Sequence, residues 1–169
     1  MRALLVIDMQ NGVCKQAGRE LWQLLELVQL VNQRINYYHA QGWPVIFIQH
    51  QNVNLIKKTS SWQLVPELKR REGDLYVDKT HPNAFYHTSL QELLSQRQVD
   101  ELEICGAQTE YCVDATVKMA HGLGYRVLMV HGASSTFDNE FMDAEKTVRY
   151  FEWLWGKNFL EFISKIKAK

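Results

Sequence analysis

Short apolar runs alternate along the chain with longer segments of helical period, and this alternation constrains the fold most strongly. Continuous apolar strands are typical of parallel sheets that helices cover on both faces. The predicted strands are residues 2–7, 44–50, 74–79, 101–106 and 125–131, and the predicted helices are 19–41, 88–98, 109–121 and 140–153. Residues 158–169, apolar and then basic, predict a helix or a frayed end. The sequence therefore predicts an α/β fold, a three-layer α/β/α sandwich with a mainly parallel central sheet of about five to six strands.

Length and charge narrow the classes of function. The 169 residues fit a single domain, residues 1–169. With 19 Lys and Arg against 19 Asp and Glu, the chain lacks the positive charge typical of nucleic-acid-binding proteins. No apolar run approaches the ~20 residues of a membrane span, and the N-terminal run is shorter than a signal peptide requires. We therefore expect a cytoplasmic protein that acts on a small molecule and has no nucleic-acid or membrane partner.

Reactive side chains follow the predicted strands. Asp8, His50 and Lys79 stand where the first three strands end, and Cys112 follows the fourth. The carboxyl ends of parallel strands share one edge of the sheet, where active sites form. Asp8 is a candidate base and Lys79 its candidate partner. The alternatives are a turn or capping carboxylate for Asp8 and a solvated side chain for Lys79.

Cys112 is the strongest candidate nucleophile. If Thr109 caps the helix that follows Gly106, Cys112 lies in the first helical turn. There the free N–H groups and the helix dipole favour a thiolate, and the same amides can hold an oxyanion. A buried structural cysteine fits the position of Cys112 equally well. For Cys14 and Cys105 we expect that structural role, because the three cysteines lack the spacing of a zinc site or disulfide framework.

Three separated motifs carry a family resemblance. They are LLVIDMQ at 4–10, VDK at 77–79 followed by Ala84 and Phe85, and ICGAQTEYCV at 104–113. Together they resemble the isochorismatase-like cysteine hydrolases, and the likeness extends over roughly residues 2–137. The resemblance implies an isochorismatase-like (Rossmann-like) fold and a homo-oligomer.

The same resemblance implies a mechanism. It places Asp8, Lys79 and Cys112 in a catalytic triad and a non-proline cis peptide between Ala107 and Gln108. That turn would aim the N–H groups of Gln108 and Cys112 at an oxyanion. The implied reaction is hydrolysis of a small amide or similar C–N bond through a Cys112 thioester. Asp8 would act as general base and acid, and Lys79 would stabilise charge.

The segment after the second strand departs from the family pattern. Nicotinamidases of this family carry an Asp-x-His metal site there with a second His nearby, whereas residues 48–54 contain His50 alone and no Asp. We therefore expect no metal and no cofactor, and nicotinamide becomes a weaker substrate candidate.

Pocket candidates are polar or aromatic residues near the motifs. They are Gln10, His50, Trp62, His81, Phe85, Tyr111 and Phe137. The alternative for each aromatic residue is the core, and for each histidine the surface, which is where we expect His81. Beyond residue 150 four aromatic side chains are expected to complete the core, with a subunit interface as the alternative: Phe151, Trp153, Trp155 and Phe159.

Two other functional classes stay open at the level of sequence. One is a thiol-based redox or sulfur-handling protein that uses Cys112, although no second cysteine stands at the close spacing such chemistry often uses. The other is a non-catalytic small-molecule binder of the same fold. The presence of all three triad residue types argues against a mere binder.

Overall fold

The computed structural model describes residues 1–165. Its elements in chain order are β1 (Arg2–Ile7), α1 (Asn11–Cys14), β2 (Lys15–Gln16), β3 (Arg19–Glu20), α2 (Leu24–Gln41), β4 (Val45–His50), β5 (Leu75–Lys79), α3 (Leu90–Gln96), β6 (Glu101–Ala107), a π-helical turn (Thr109–Val113), α4 (Asp114–Gly122), β7 (Arg126–Val130), β8 (Ser134–Ser135), α5 (Ala144–Asn158) and β9 (Glu161–Ile163). No helix among these residues is long and apolar enough to cross a membrane.

A parallel sheet with the order β5-β4-β1-β6-β7-β9 forms the centre, and β8 pairs with β6. Strand β1 lies in the middle, and its residues from Ala3 to Ile7 are fully buried, which explains its continuous apolar sequence. The predicted three-layer α/β fold is confirmed. The chain runs from β1 outward through β4 and β5, then returns to β6 and continues the other way. This reversal, between β1 and β6, is where open α/β sheets form ligand crevices.

Helix α2 begins later than the sequence predicts. The predicted start at residue 19 is wrong, because residues 19–20 pair with residues 15–16 in an antiparallel hairpin. Ala17 and Gly18 form its two-residue turn with φ of 49° and 77°. Positive φ at both turn residues matches the twist of a short hairpin. The apolar stripe of the helix therefore starts only at Leu24.

The C-terminal part also differs from the prediction. Helix α5 begins at Ala144 rather than at residue 140 and extends to Asn158. Asp143 caps its start, because the Asp143 carboxylate accepts a hydrogen bond from the N–H of Lys146. The expected helix or frayed end after 158 is wrong for Glu161–Ile163, which pair with β7. Strand β7 would otherwise leave its N–H and C=O groups unpaired at the sheet edge, and β9 satisfies them. Residues 166–169 of that prediction lie outside the described residues.

The aromatic residues of α5 divide between core and surface. Trp155 is completely buried, and its Nε1–H donates to Asp114 Oδ1 at 2.8 Å. Phe151 and Phe159 are partly buried against the core. Trp153 is 58% exposed, so the core prediction is wrong for this residue. Residues two apart lie on different faces of a helix, which separates Trp153 from Trp155.

Candidate active site

Three predicted site residues meet at the carboxyl edge of the sheet. Asp8 follows β1, Lys79 ends β5, and Cys112 lies in the π-helical turn after β6. The Lys79 ammonium donates to Asp8 Oδ2 at 2.7 Å and to Cys112 Sγ at 3.2 Å. Strands β5 and β1 are separated by β4, and the long lysine side chain reaches across that strand. The parallel sheet thus brings together side chains that are far apart in sequence.

The turn between β6 and Cys112 depends on Gly106. This residue has φ of +125°, and a Cβ there would lie 2.1 Å from the main-chain oxygen of Ile7 in β1. Only glycine permits that close approach of the two strands. One residue further on, the peptide bond Ala107–Gln108 is cis, as the resemblance implies. Thr109 does not cap the helix as predicted, because its Oγ1 donates to Ser134 Oγ at 3.0 Å instead.

A buried ion pair forms the electrostatic centre of the site. The side chains of Lys79 and Asp8 are 0% and 2% exposed. The third acceptor of the Lys79 ammonium is His50 Nδ1, at 3.1 Å. Asp8 Oδ1 is buried and has no hydrogen-bond partner within residues 1–165. An unpaired carboxylate oxygen in the interior is costly, and this atom can accept a hydrogen bond from a bound molecule.

The resting state of Cys112 differs from the sequence prediction. Burial first, and then the negative charge of Asp8, raise the pKa of the Cys112 thiol from 9.0 to about 12, and the Lys79 charge opposes them. Burial and the Asp8 charge thus work against the thiolate that the helix start was expected to favour. A thiol with a pKa of about 12 is protonated at neutral pH.

A cavity of about 480 Å³ opens above the thiol. Its walls come from α1, the hairpin, the carboxyl end of β1, the loops after β4 and β5, and the turn after β6. They are Asp8, Gly12, Val13, Gln16, His50, Asn52, Asn54, Leu55, Pro82, Gln108, Tyr111 and Cys112. Of the pocket candidates, the structure thus places His50 and Tyr111 on this cavity, together with Gln108 of the cis turn.

The other pocket candidates lie elsewhere, which corrects their prediction as lining residues. Gln10 is fully buried under the site, Phe85 stacks on Tyr125, and Phe137 lies under Arg19. Trp62 lines a separate cavity. An aromatic residue in a polar loop suggested that Trp62 lines a pocket. The sequence does not indicate which side of that loop faces Cys112.

His81 is exposed and packs edge-on against Tyr86, as we expected. Sequence reasoning missed lining residues such as Asn52, Leu55 and Pro82. They stand in irregular segments where no hydrophobic period marks an orientation. Only their position directly after β4 and β5 could have suggested a role.

Metal binding at this edge meets a specific obstacle. Among residues 1–165, ligand atoms of Asp8, His50 and Cys112 lie within 4.8 Å of one another. The Lys79 ammonium already contacts all three residues, so a metal ion would have to displace it. Residues 48–54 likewise do not provide the ligand set expected for a nicotinamidase metal site, because His50 is the lone imidazole there and its Nδ1 is already bound to Lys79.

Comparison with known proteins assigns the family. The family model for the isochorismatase domain matches residues 2–153 of this chain. The chain belongs to the isochorismatase family. A crystal structure of an isochorismatase family protein is 44% identical in sequence to this chain. The two superpose with a TM-score of 0.94 over 96% of this chain and 98% of that one. The resemblance seen in the three motifs is thereby confirmed.

Two isochorismatase-family relatives are more distant. The family protein YddQ of Bacillus subtilis (strain 168) is 30% identical over 139 residues, which are 79% of this chain and 77% of the relative. A streptothricin hydrolase of Streptomyces noursei is 33% identical over 168 residues, which are 92% of this chain and 60% of the relative. Membership of this family, together with such a relative, identifies the chain as a hydrolase.

Proposed function

We propose that this isochorismatase-family chain, as one catalytic domain, is a cysteine-dependent hydrolase that cleaves a small amide or similar C–N bond. One observation supports this most: a buried ammonium joins Asp8 and Cys112 while Asp8 Oδ1 is left without a partner among residues 1–165. A base, a nucleophile and a charge stabiliser thus meet beside a cavity of small-molecule size.

Asp8 first acts as the general base. Because burial and the Asp8 charge keep the Cys112 thiol protonated at rest, the proton must leave as Sγ attacks the substrate carbonyl carbon. Asp8 Oδ1 takes that proton, and the Sγ–C bond forms. The Lys79 ammonium, 3.2 Å from Sγ, stabilises the negative charge that develops on sulfur.

The tetrahedral intermediate then collapses to a thioester. Backbone amides of the turn, those of Gln108 and Cys112, are proposed to hold the oxyanion. Asp8 returns its proton to the leaving nitrogen, and the C–N bond breaks. Water, deprotonated by Asp8, attacks the thioester, and the thiol is regenerated with release of the acid. The chain's own residues supply every proton transfer, so we propose no cofactor.

The redox alternative finds little support in the structure. The second thiol such chemistry needs would have to be Cys14 or Cys105, and both are completely buried. Burial raises the pKa of each of these thiols above its ordinary value. A cytoplasmic location and a homo-oligomeric state stay predictions.

The test is hydrolysis of a panel of small amides, with release of ammonia or amine as the readout. Cys112→Ala is expected to lose at least about 1,000-fold in rate, because it removes the nucleophile. Cys14→Ala, a core thiol outside the cavity, is the matched control and should keep its activity. Activity retained within about tenfold by Cys112→Ala would overturn the proposal.

A further inference from the structure

The His50 ring lines the cavity and is held through its Nδ1. Its Nδ1 lies 3.1 Å from the Lys79 ammonium, whose other two N–H groups face Asp8 Oδ2 and Cys112 Sγ. An ammonium has three donors and no acceptor, so His50 Nδ1 must be the acceptor of this hydrogen bond. The proton of the neutral ring therefore lies on Nε2.

The surroundings keep the ring neutral. Burial first, and then the Lys79 charge, lower the pKa of His50 below its ordinary value. The titratable groups that face the ring are Lys79, Asp8, His81 and Cys112. Within residues 1–165, no side chain or main-chain group forms a hydrogen bond with Nε2, although the ring lines the cavity. Nε2–H is thus a fixed donor with no partner in the described part of the chain.

The main chain of His50 is fixed as well. Its N–H donates to Gln10 Oε1 at 2.7 Å, and Gln10 Nε2 donates back to its carbonyl oxygen at 2.9 Å. Gln10 Nε2 also donates to the carbonyl oxygen of Trp62 at 2.8 Å. This clamp explains why Gln10 is buried without touching the cavity. The main-chain bonds fix where the side chain starts, and the bond from Lys79 to Nδ1 fixes the orientation of the ring.

We infer that His50 is a substrate-binding residue whose Nε2–H donates to an uncharged acceptor, a carbonyl oxygen or ring nitrogen, beside the scissile carbonyl. The inference rests on the proposed function and narrows its substrate class. The position follows from the cavity that His50 and Cys112 both line, and from Lys79, which contacts both Nδ1 and the Cys112 sulfur. An uncharged acceptor follows from the lining, in which Asp8 is the charged member and is neutralised by Lys79.

Aromatic aldehydes test this without knowledge of the natural substrate. The Cys112 thiol adds to the aldehyde carbon, the S–C bond forms, and the thiol proton ends on the aldehyde oxygen, with nothing oxidised or reduced. Benzaldehyde lacks a ring acceptor, whereas each of the three pyridine carboxaldehydes has one in a ring of the same shape. The dissociation constant of each adduct is read from the protection of Cys112 against iodoacetamide, by peptide mass spectrometry.

Two variants separate the donor from the Lys79 contact. In His50→Asn, the side-chain oxygen is as many bonds from the main chain as Nδ1, so it can still accept a hydrogen bond from Lys79. The shorter side chain leaves no donor at the position of Nε2. His50→Gln keeps an N–H as many bonds out as Nε2. The preference for the best pyridine aldehyde over benzaldehyde, compared between proteins, cancels differences in electrophilicity. Thermal unfolding verifies that both variants are folded.

We expect the preference to fall about fivefold to tenfold in His50→Asn, the effect of one neutral hydrogen bond, and to be largely kept in His50→Gln. An unchanged preference in His50→Asn, with adducts still formed at Cys112, overturns the role of His50 and leaves the proposed function standing. Failure of every aldehyde to protect Cys112 in the unmodified protein contradicts the proposed function and the role of His50 together.

Discussion

Replacement of Asp8 by Asn should make Cys112 more reactive toward alkylation and, at the same time, abolish hydrolysis. The Asp8 charge raises the pKa of the Cys112 thiol, whereas the Lys79 charge lowers it. Without the carboxylate, the thiolate becomes the anion nearest the Lys79 ammonium. Asn tolerates the positive φ of 48° at this position, so the main chain can stay as it is.

The size of the effect follows from the geometry. A carboxylate oxygen of Asp8 lies within 4.8 Å of the Cys112 sulfur. Two unit charges at that separation interact by about 3 kcal/mol at an effective dielectric constant of ~20. This energy corresponds to roughly 100-fold more thiolate at neutral pH. A less basic thiolate is also a weaker nucleophile, which leaves a net gain of about tenfold in alkylation rate.

The assay is iodoacetamide alkylation of Cys112 at pH 7, followed by peptide mass spectrometry. Cys14 and Cys105, both fully buried, serve as internal references. Asp78→Asn is the matched control, because Asp78 pairs with Lys57 outside the buried cluster and should leave the rate unchanged. Amide hydrolysis by Asp8→Asn should fall by about 100-fold to 10,000-fold, the usual contribution of a general base.

A slower or unchanged alkylation rate in Asp8→Asn would refute the reasoning. It would mean that Asp8 already draws the proton from Cys112 in the free protein. Amide hydrolysis by Asp8→Asn at the wild-type rate would refute the role of Asp8 as the base.

Three further predictions concern the same architecture. Alkylation of wild-type Cys112 should rise tenfold per pH unit from pH 7 to 10 without a plateau, because its pKa is about 12; a plateau near pH 9 would indicate an ordinary thiol. In urea unfolding, Gly106→Ala should lose more than about 3 kcal/mol, whereas Gly124→Ala, with open space around it, should lose about 1–2 kcal/mol; equal losses would contradict the close approach. Arg34→Met should cost about 3–5 kcal/mol, because it leaves the Glu103 carboxylate buried and unpaired, and a loss below ~1 kcal/mol would be inconsistent with that pair.

The fold could be predicted from the sequence wherever one element's own pattern determines it. The run Ala3–Ile7 predicts a strand buried on both faces, and the structure confirms it. Partners distant in sequence decide the rest. Residues 19–20 leave the predicted helix because they pair with residues 15–16, and residues 161–163 form a strand because β7 offers an open edge.

The candidate site shows the same division. The positions of Asp8, Lys79 and Cys112 after predicted strands indicated that they belong to one site. In the structure Lys79 contacts both other residues. The ionisation state of Cys112 could not be predicted, because it depends on burial and on the distance to a carboxylate 104 positions away in the sequence. Likewise, Trp62 lines a separate cavity, and no local pattern in its loop reveals which cavity its side chain faces.

The most direct test of the central claim is rapid-quench peptide mapping after mixing with p-nitrophenyl acetate, a probe that acylates nucleophilic thiols. The proposed mechanism predicts an acetyl thioester on the Cys112 peptide and none on the peptides of Cys14 or Cys105, which are buried in the core. It further predicts that the thioester turns over in the wild-type protein and persists in Asp8→Asn, where the base for water is missing. Acetylation elsewhere with Cys112 unmodified, or equally fast loss of the thioester in Asp8→Asn, would contradict the account.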